Sequence, residues 1–202
     1  MLFVCPVGES YSHTNPTSDG SIRSYDVKSA IKNSLWQQFG AAIDDLNNAL
    51  LACPDELWRG RIWDNPAQEK FFLPEFWYVV YHTLFWLDLY LTGAEEGFLP
   101  PAPFLLVEQD ENGPLPEKPY SKAELQTYLE ECRQKCQTTI AALTDAAAFR
   151  RCRFGWGEVS FVELLLYTMR HVQGHAAQLN LFLGQKEGSA PNWVTQAKST
   201  TA

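Results

Sequence analysis

From Ser160 to Gly184, apolar residues return every three or four positions, at Phe161, Leu164, Leu165, Val172, Leu179 and Phe182. That is the rhythm of a helix with one buried face. Ser160 and Glu163 stand at the S-x-x-E spacing of a capping box and mark its start. The same rhythm runs from Tyr25 to Ala52, with Ile31, Leu35, Phe39, Ala42, Ile43, Leu46 and Leu50 predicted inward and Lys32 and Asp45 between them. Cys53-Pro54 ends that helix, because the residue before a proline is pushed out of the helical region. A second helix is predicted within Pro66 to Thr92, with a break at Pro74. From Glu75 to Leu91 it is apolar on almost every side, which requires burial on several sides. A third opens on the capping pair Ser121 and Glu124 and runs to about Phe149, with Leu125, Tyr128, Leu129, Cys132, Cys136, Ile140 and Leu143 inward.

The connections differ in character. Pro54 to Asn65 carries Trp58 and Trp63 and is expected to pack. Ala94 to Tyr120 is proline-rich, and a connection of that length predicts a crossover, a lid or a binding loop. Arg150 to Gly157 reads as a turn containing Trp156. Residues 1–24 show no periodicity and are expected to form a flexible lead-in, with His13 solvated. Residues 186–202 read as a polar tail in which Trp193 alone is suited to dock. With no strand pattern, the expectation is an all-α chain: a four-helix bundle over 25–185 with a long crossover loop between its second and third helices.

Charge and cysteine usage narrow the function. A net charge of -8 argues against nucleic-acid or anionic-membrane partners. No apolar run approaches the ~20 residues of a membrane span. Met1 to Val7 is short and lacks the basic flank of a signal peptide. The five cysteines include no C-x-x-C pair, and the reading is reduced thiols acting as small hydrophobes in a cytoplasmic protein.

Candidate chemistry lies in the histidines. Of four, three fall on predicted core faces: His82 in the second helix, His171 and His175 in the fourth. His171 and His175 are about 40° apart around the helix axis, one turn above each other, and can reach one metal ion. Three neutral imidazoles suit a zinc-type divalent ion and leave a fourth position open. Nickel and iron suit imidazole as well. The zincin pattern H-E-x-x-H is missing, since Val172 follows His171. The di-iron pattern E-x-x-H is missing too, since Val79, Thr168 and Val172 precede the three histidines by three. Tyr78 and Trp86, a turn either side of His82, are placed to wall a pocket or to fill core. Gln178, one turn along from His175, is placed to bond a neighbour of the site or the substrate, or to fill core. Glu75 is a weaker candidate base, read as solvated at its helix start, and Arg170 is read as surface.

His171-Val-Gln-Gly-His175-Ala-Ala-Gln178 resembles the fourth-helix motif of the DinB/YfiT-like superfamily, often written H-E-A-H-H-R-G-Q. Tyr81-His82-Thr-Leu-Phe-Trp-Leu-Asp-Leu resembles its second-helix ligand region, and Pro54-Asp-Glu-Leu-Trp58 its segment after the first helix. The resemblance covers about Tyr25 to Gly184. Gly174 stands where the family often has a further His, and Ala176-Ala177 replaces Arg-Gly. The resemblance implies a four-helix bundle holding a metal through His82, His171 and His175. Relatives include bacillithiol- and mycothiol-dependent S-transferases and a maleylpyruvate isomerase. A low-molecular-weight thiol cofactor, a small-molecule substrate and a homodimer are therefore expected. A transferase or hydrolase working through an activated thiol or water is one function. A non-catalytic metal- or ligand-binding bundle with a stress-response role is the other, and purely structural histidines are a third.

Overall fold

A computed structural model describes residues 27–64, 73–110 and 115–199. The expectations for the 1–24 lead-in, His13 and the helix start at Pro66 lie outside the described residues. The elements are α1 (Val27–Ala52), α2 (Phe76–Thr92), α3 (Lys122–Ala141), α4 (Asp145–Phe149), β1 (Arg151–Phe154), β2 (Gly157–Ser160) and α5 (Phe161–Glu187), with short 3-10 turns at Asp55–Leu57 and Val107–Gln109. The four long helices form the bundle. α1 packs on α3 and α5, and α2 packs on the same two, so α1 and α2 stand on opposite corners.

α2 is the hub. Phe76, Trp77, Tyr78, Tyr81, Leu84, Phe85 and Leu87 are all fully buried, as an all-round apolar helix demands. Its apolar surface is packed inside the chain except at the partly exposed Trp86. Gly93 in the left-handed region ends it (φ 78°). The loop that follows folds back on the bundle: Phe104 stacks on Tyr128 with centroids 4.5 Å apart, and Tyr81 donates its hydroxyl to the Leu105 carbonyl. The 54–64 connection packs as expected, with Trp58 Nε1 donating to the Tyr120 carbonyl at 2.9 Å.

Four local expectations are corrected. The third helix stops at Ala141, and Thr144, accepting from the Ala147 N–H, caps a separate short helix. A threonine hydroxyl that offers the backbone a local partner competes with continuing the helix. Arg150 to Gly157 is more than a turn: β1 and β2 pair antiparallel with Phe154 opposite Gly157, leaving Gly155-Trp156 as the tip. Ile31, predicted inward, is 59 % exposed.

The fourth correction is the tail. Trp193 is exposed, and docking is done by backbone groups instead. The Val194 N–H donates to Asp45 at 2.9 Å, the Ala197 N–H to the Gln37 carbonyl at 2.9 Å and the Lys198 N–H to Asp44 at 2.7 Å. Asp45, read from its polarity as lying between core positions, is thereby buried. Arg133 completes this clamp, bonding Asp44 at 2.9 Å and the Lys198 carbonyl at 2.7 Å. Gly40 makes room for it, since a Cβ there would lie 2.5 Å from that of Ala197.

Cys53, Cys132, Cys136 and Cys152 are free and buried. Burial pushes all four thiols up, Cys53 to about 12. Alkylation of native Cys53 should therefore keep accelerating with pH well past 9.0, where an ordinary thiol levels off. An unfolded chain releases these protons first, so this contribution to stability is intact below pH 9 and lost above it. Peptide mapping after timed iodoacetamide labelling reads the first effect, and urea midpoints from pH 8 to 10.5 read the second.

Candidate metal centre

His82 comes from the middle of α2, and His171 and His175 come from successive turns of α5, the helix beside it. One nitrogen from each of the three rings lies within 4.8 Å of the others. His82 Nε2 and His171 Nε2 are 3.3 Å apart. Two nitrogens each ~2.0–2.1 Å from a tetrahedral ion stand about 3.3–3.4 Å apart. The rings meet edge to face, with centroids 4.6 Å apart for His171 and His175, 5.0 Å for His82 and His175, and 5.3 Å for His82 and His171.

Two rings are held from behind. His82 Nδ1 lies 2.6 Å from Glu108 Oε2, a carboxylate delivered by the 3-10 turn Val107–Gln109 of the long loop. Trp86 Nε1 donates to the same oxygen at 3.0 Å. His175 Nδ1 lies 2.7 Å from Gln178 Oε1. An acceptor on each Nδ1 fixes the proton there and presents Nε2 as a lone pair. Burial, followed by the neighbouring rings, pushes His171 well below the usual histidine range and His175 to about 4. Both are therefore neutral at pH 7, as a metal ligand must be. His171 Nδ1 is buried with no hydrogen-bond partner among the described residues.

Glu108 is almost wholly buried, and burial alone would raise its pKa. His82, Tyr78 and Trp86 outweigh that and hold the carboxyl below the usual range. It stays an anion aimed at His82. Glu108→Gln keeps the shape and loses the charge, and it should weaken metal binding by about 10–100-fold, measured by chelator competition.

The three histidines expected to share a site lie together in the structure, and Glu108 joins them unannounced by the sequence pattern. A single Glu in a proline-rich loop belongs to no periodic pattern, so nothing ties it to the helices. Tyr78 is fully buried, with its hydroxyl facing Glu108. Trp86 is half-buried beside His82, at 6.5 Å between ring centroids. Gln178 is exposed and holds His175, so it is no core filler. Glu75, read as solvated, is instead the residue preceding α2, tied to Arg59 at 3.0 Å and Trp77 at 2.7 Å. Arg170 is exposed, as read. Gly174 is exposed too, and a side chain there would meet nothing within 4 Å, so the missing family histidine takes no ligand from the cluster.

No described helix is long and apolar enough to cross a membrane. No curated protein and no solved structure matches the chain. The sequence pattern of one family does, over residues 36–179, a stretch that takes in α2, α3, most of α1 and α5, all three clustered histidines and Glu108. With that span added to a helical bundle whose second and last long helices converge on three imidazoles, the chain belongs to the DinB superfamily.

Proposed function

We propose that this protein is a metal-dependent enzyme whose His82, His171 and His175 hold one divalent ion, zinc before nickel or iron, with the fourth position open to a thiol or water. The observation that supports this best is the 3.3 Å separation of His82 Nε2 and His171 Nε2, in a cluster where Glu108 backs His82 and Gln178 backs His175. When bound, such an ion lowers the pKa of a thiol or water and holds it as a nucleophile.

The chain's own residues prepare that site. Glu108 and Gln178 keep the protons of His82 and His175 on Nδ1. Burial keeps His171 and His175 uncharged at neutral pH. The four described cysteines are buried with raised pKa values, so none of them is suited to be the reacting thiol, and a small-molecule thiol fills that role in this reading. Glu75 is committed to Arg59 and Trp77, which removes it as a base. S-transfer to an electrophilic small molecule, or hydrolysis, is the reaction class that fits.

Elemental analysis of untagged protein tests the reading. Near-stoichiometric metal in the wild type, lost in His82→Ala, licenses a screen of thiol-transfer and hydrolysis reactions. Protein that takes up no zinc, nickel or iron when supplied with each sinks it. Full metal without turnover of any thiol or ester substrate supports the non-catalytic binding bundle instead.

A further inference from the structure

Beside the histidines runs a strip of aromatic rings that begins at Trp86, whose indole N–H also bonds Glu108. Trp86, one turn beyond His82, lies 5.2 Å from Tyr90 between centroids. Tyr90 lies 5.6 Å from Tyr167, which sits one turn before His171 on α5. Tyr167 stacks on Trp156 at 4.7 Å with planes 21° apart. Trp156 is the second residue of the hairpin tip, a place where two-residue turns ordinarily take Gly, Asn or Asp. Turn geometry gives no reason for an indole there. Its orientation is nonetheless set, by Nε1 donating to the Tyr90 hydroxyl at 3.1 Å. Trp156 is 46 % and Tyr167 37 % exposed, and the flanking Gly155 and Gly157 put no side chain over them.

The indole also stacks on Phe154, at 5.6 Å with planes 7° apart, so its orientation is fixed from several sides while 46 % of the residue stays open to a ligand. We propose that Trp156, Tyr167 and Trp86 form a stacking surface for a planar aromatic or conjugated group of the substrate, whose polar head reaches the three histidines. The inference rests on reading those histidines as the metal centre. Tyr167 and Trp86 each lie one helical turn, about 6 Å, from a histidine of the cluster. The planar group is therefore separated from the reacting head by a spacer of a few bonds. Aromatic rings offset-stack with a preference beyond area burial alone, so the platform selects flat groups over aliphatic ones of similar size.

The test uses the zinc-loaded full chain and two hydroxamates of equal zinc-binding head. By calorimetry, 3-(2-naphthyl)propanohydroxamate should bind at least about tenfold tighter than acetohydroxamate. Trp156→Ala and Tyr167→Leu should each cut that ratio several-fold and leave acetohydroxamate unchanged. A ratio that survives both substitutions, or no naphthyl preference in the wild type, overturns the platform. If the protein takes no zinc, the head-group reading fails and the platform is read by itself. In metal-free protein the Trp156 indole N–H resonance, identified by its loss in Trp156→Phe, should shift with 2-naphthol and stay still with cyclohexanol. No shift with 2-naphthol overturns the platform in that case too.

Discussion

His171→Ala should lower zinc affinity on the order of 10³-fold, by removing one of three protein ligands from an ion whose binding free energy is spread over few bonds. The linked effect on stability is as informative. Zinc at a thousand times its Kd adds about 4 kcal/mol to the wild type, and the same zinc concentration should add almost nothing to the variant. Metal-free stability should move much less, because the ring that is lost has a buried Nδ1 with no partner. Thermal unfolding of both proteins with and without zinc separates these effects. An unchanged zinc-dependent shift in His171→Ala would remove this ring from the centre.

The second large effect lies far from the histidines. Arg133→Met should destabilise the fold by about 3–5 kcal/mol, the cost of breaking a buried ion pair from one side. Arg133 and Asp44 are both buried, with Nε to Oδ1 at 2.9 Å. Removing the guanidinium leaves a carboxylate in the interior with the Lys198 N–H as its one remaining hydrogen-bond donor among the described residues, and also strips a partner from the Lys198 carbonyl. Arg133 further covers the Trp36 ring, its guanidinium carbon 5.2 Å from the centroid. The double variant Arg133→Met with Asp44→Leu should recover a substantial part of the loss, since replacing both partners removes the uncompensated charge. Urea unfolding midpoints compare the three. Equal stability of wild type and Arg133→Met would mean the pair and the tail clamp contribute nothing.

What could be read beforehand was what repeats. The four long helices follow from apolar spacing sustained over many turns, and Ser121 and Glu124 form both bonds of their capping box as the motif requires. The histidines were legible because each sits on such a stripe, so helix geometry alone brings them inward. The hairpin was not, because strands of four residues carry too few alternations to outweigh turn residues. Glu108 and the tail were hidden for a different reason. Their partners lie on remote elements, and Asp44 and Asp45 are buried by main-chain N–H donors that any sequence carries.

The histidine cluster lies on a seam between segments distant along the chain, His82 and His171 being 89 residues apart. The α2 segment holds one candidate ligand and the α5 segment two. Neither offers the three-coordinate grip that gathers an ion from dilute solution. In small zinc domains the ion drives folding, because the apo chain has no core of its own. Here the core of α2 is complete without it, and the three rings meet only after α2 and α5 have packed. On the proposed reading, an ion would therefore load an already folded bundle, as a late step in maturation.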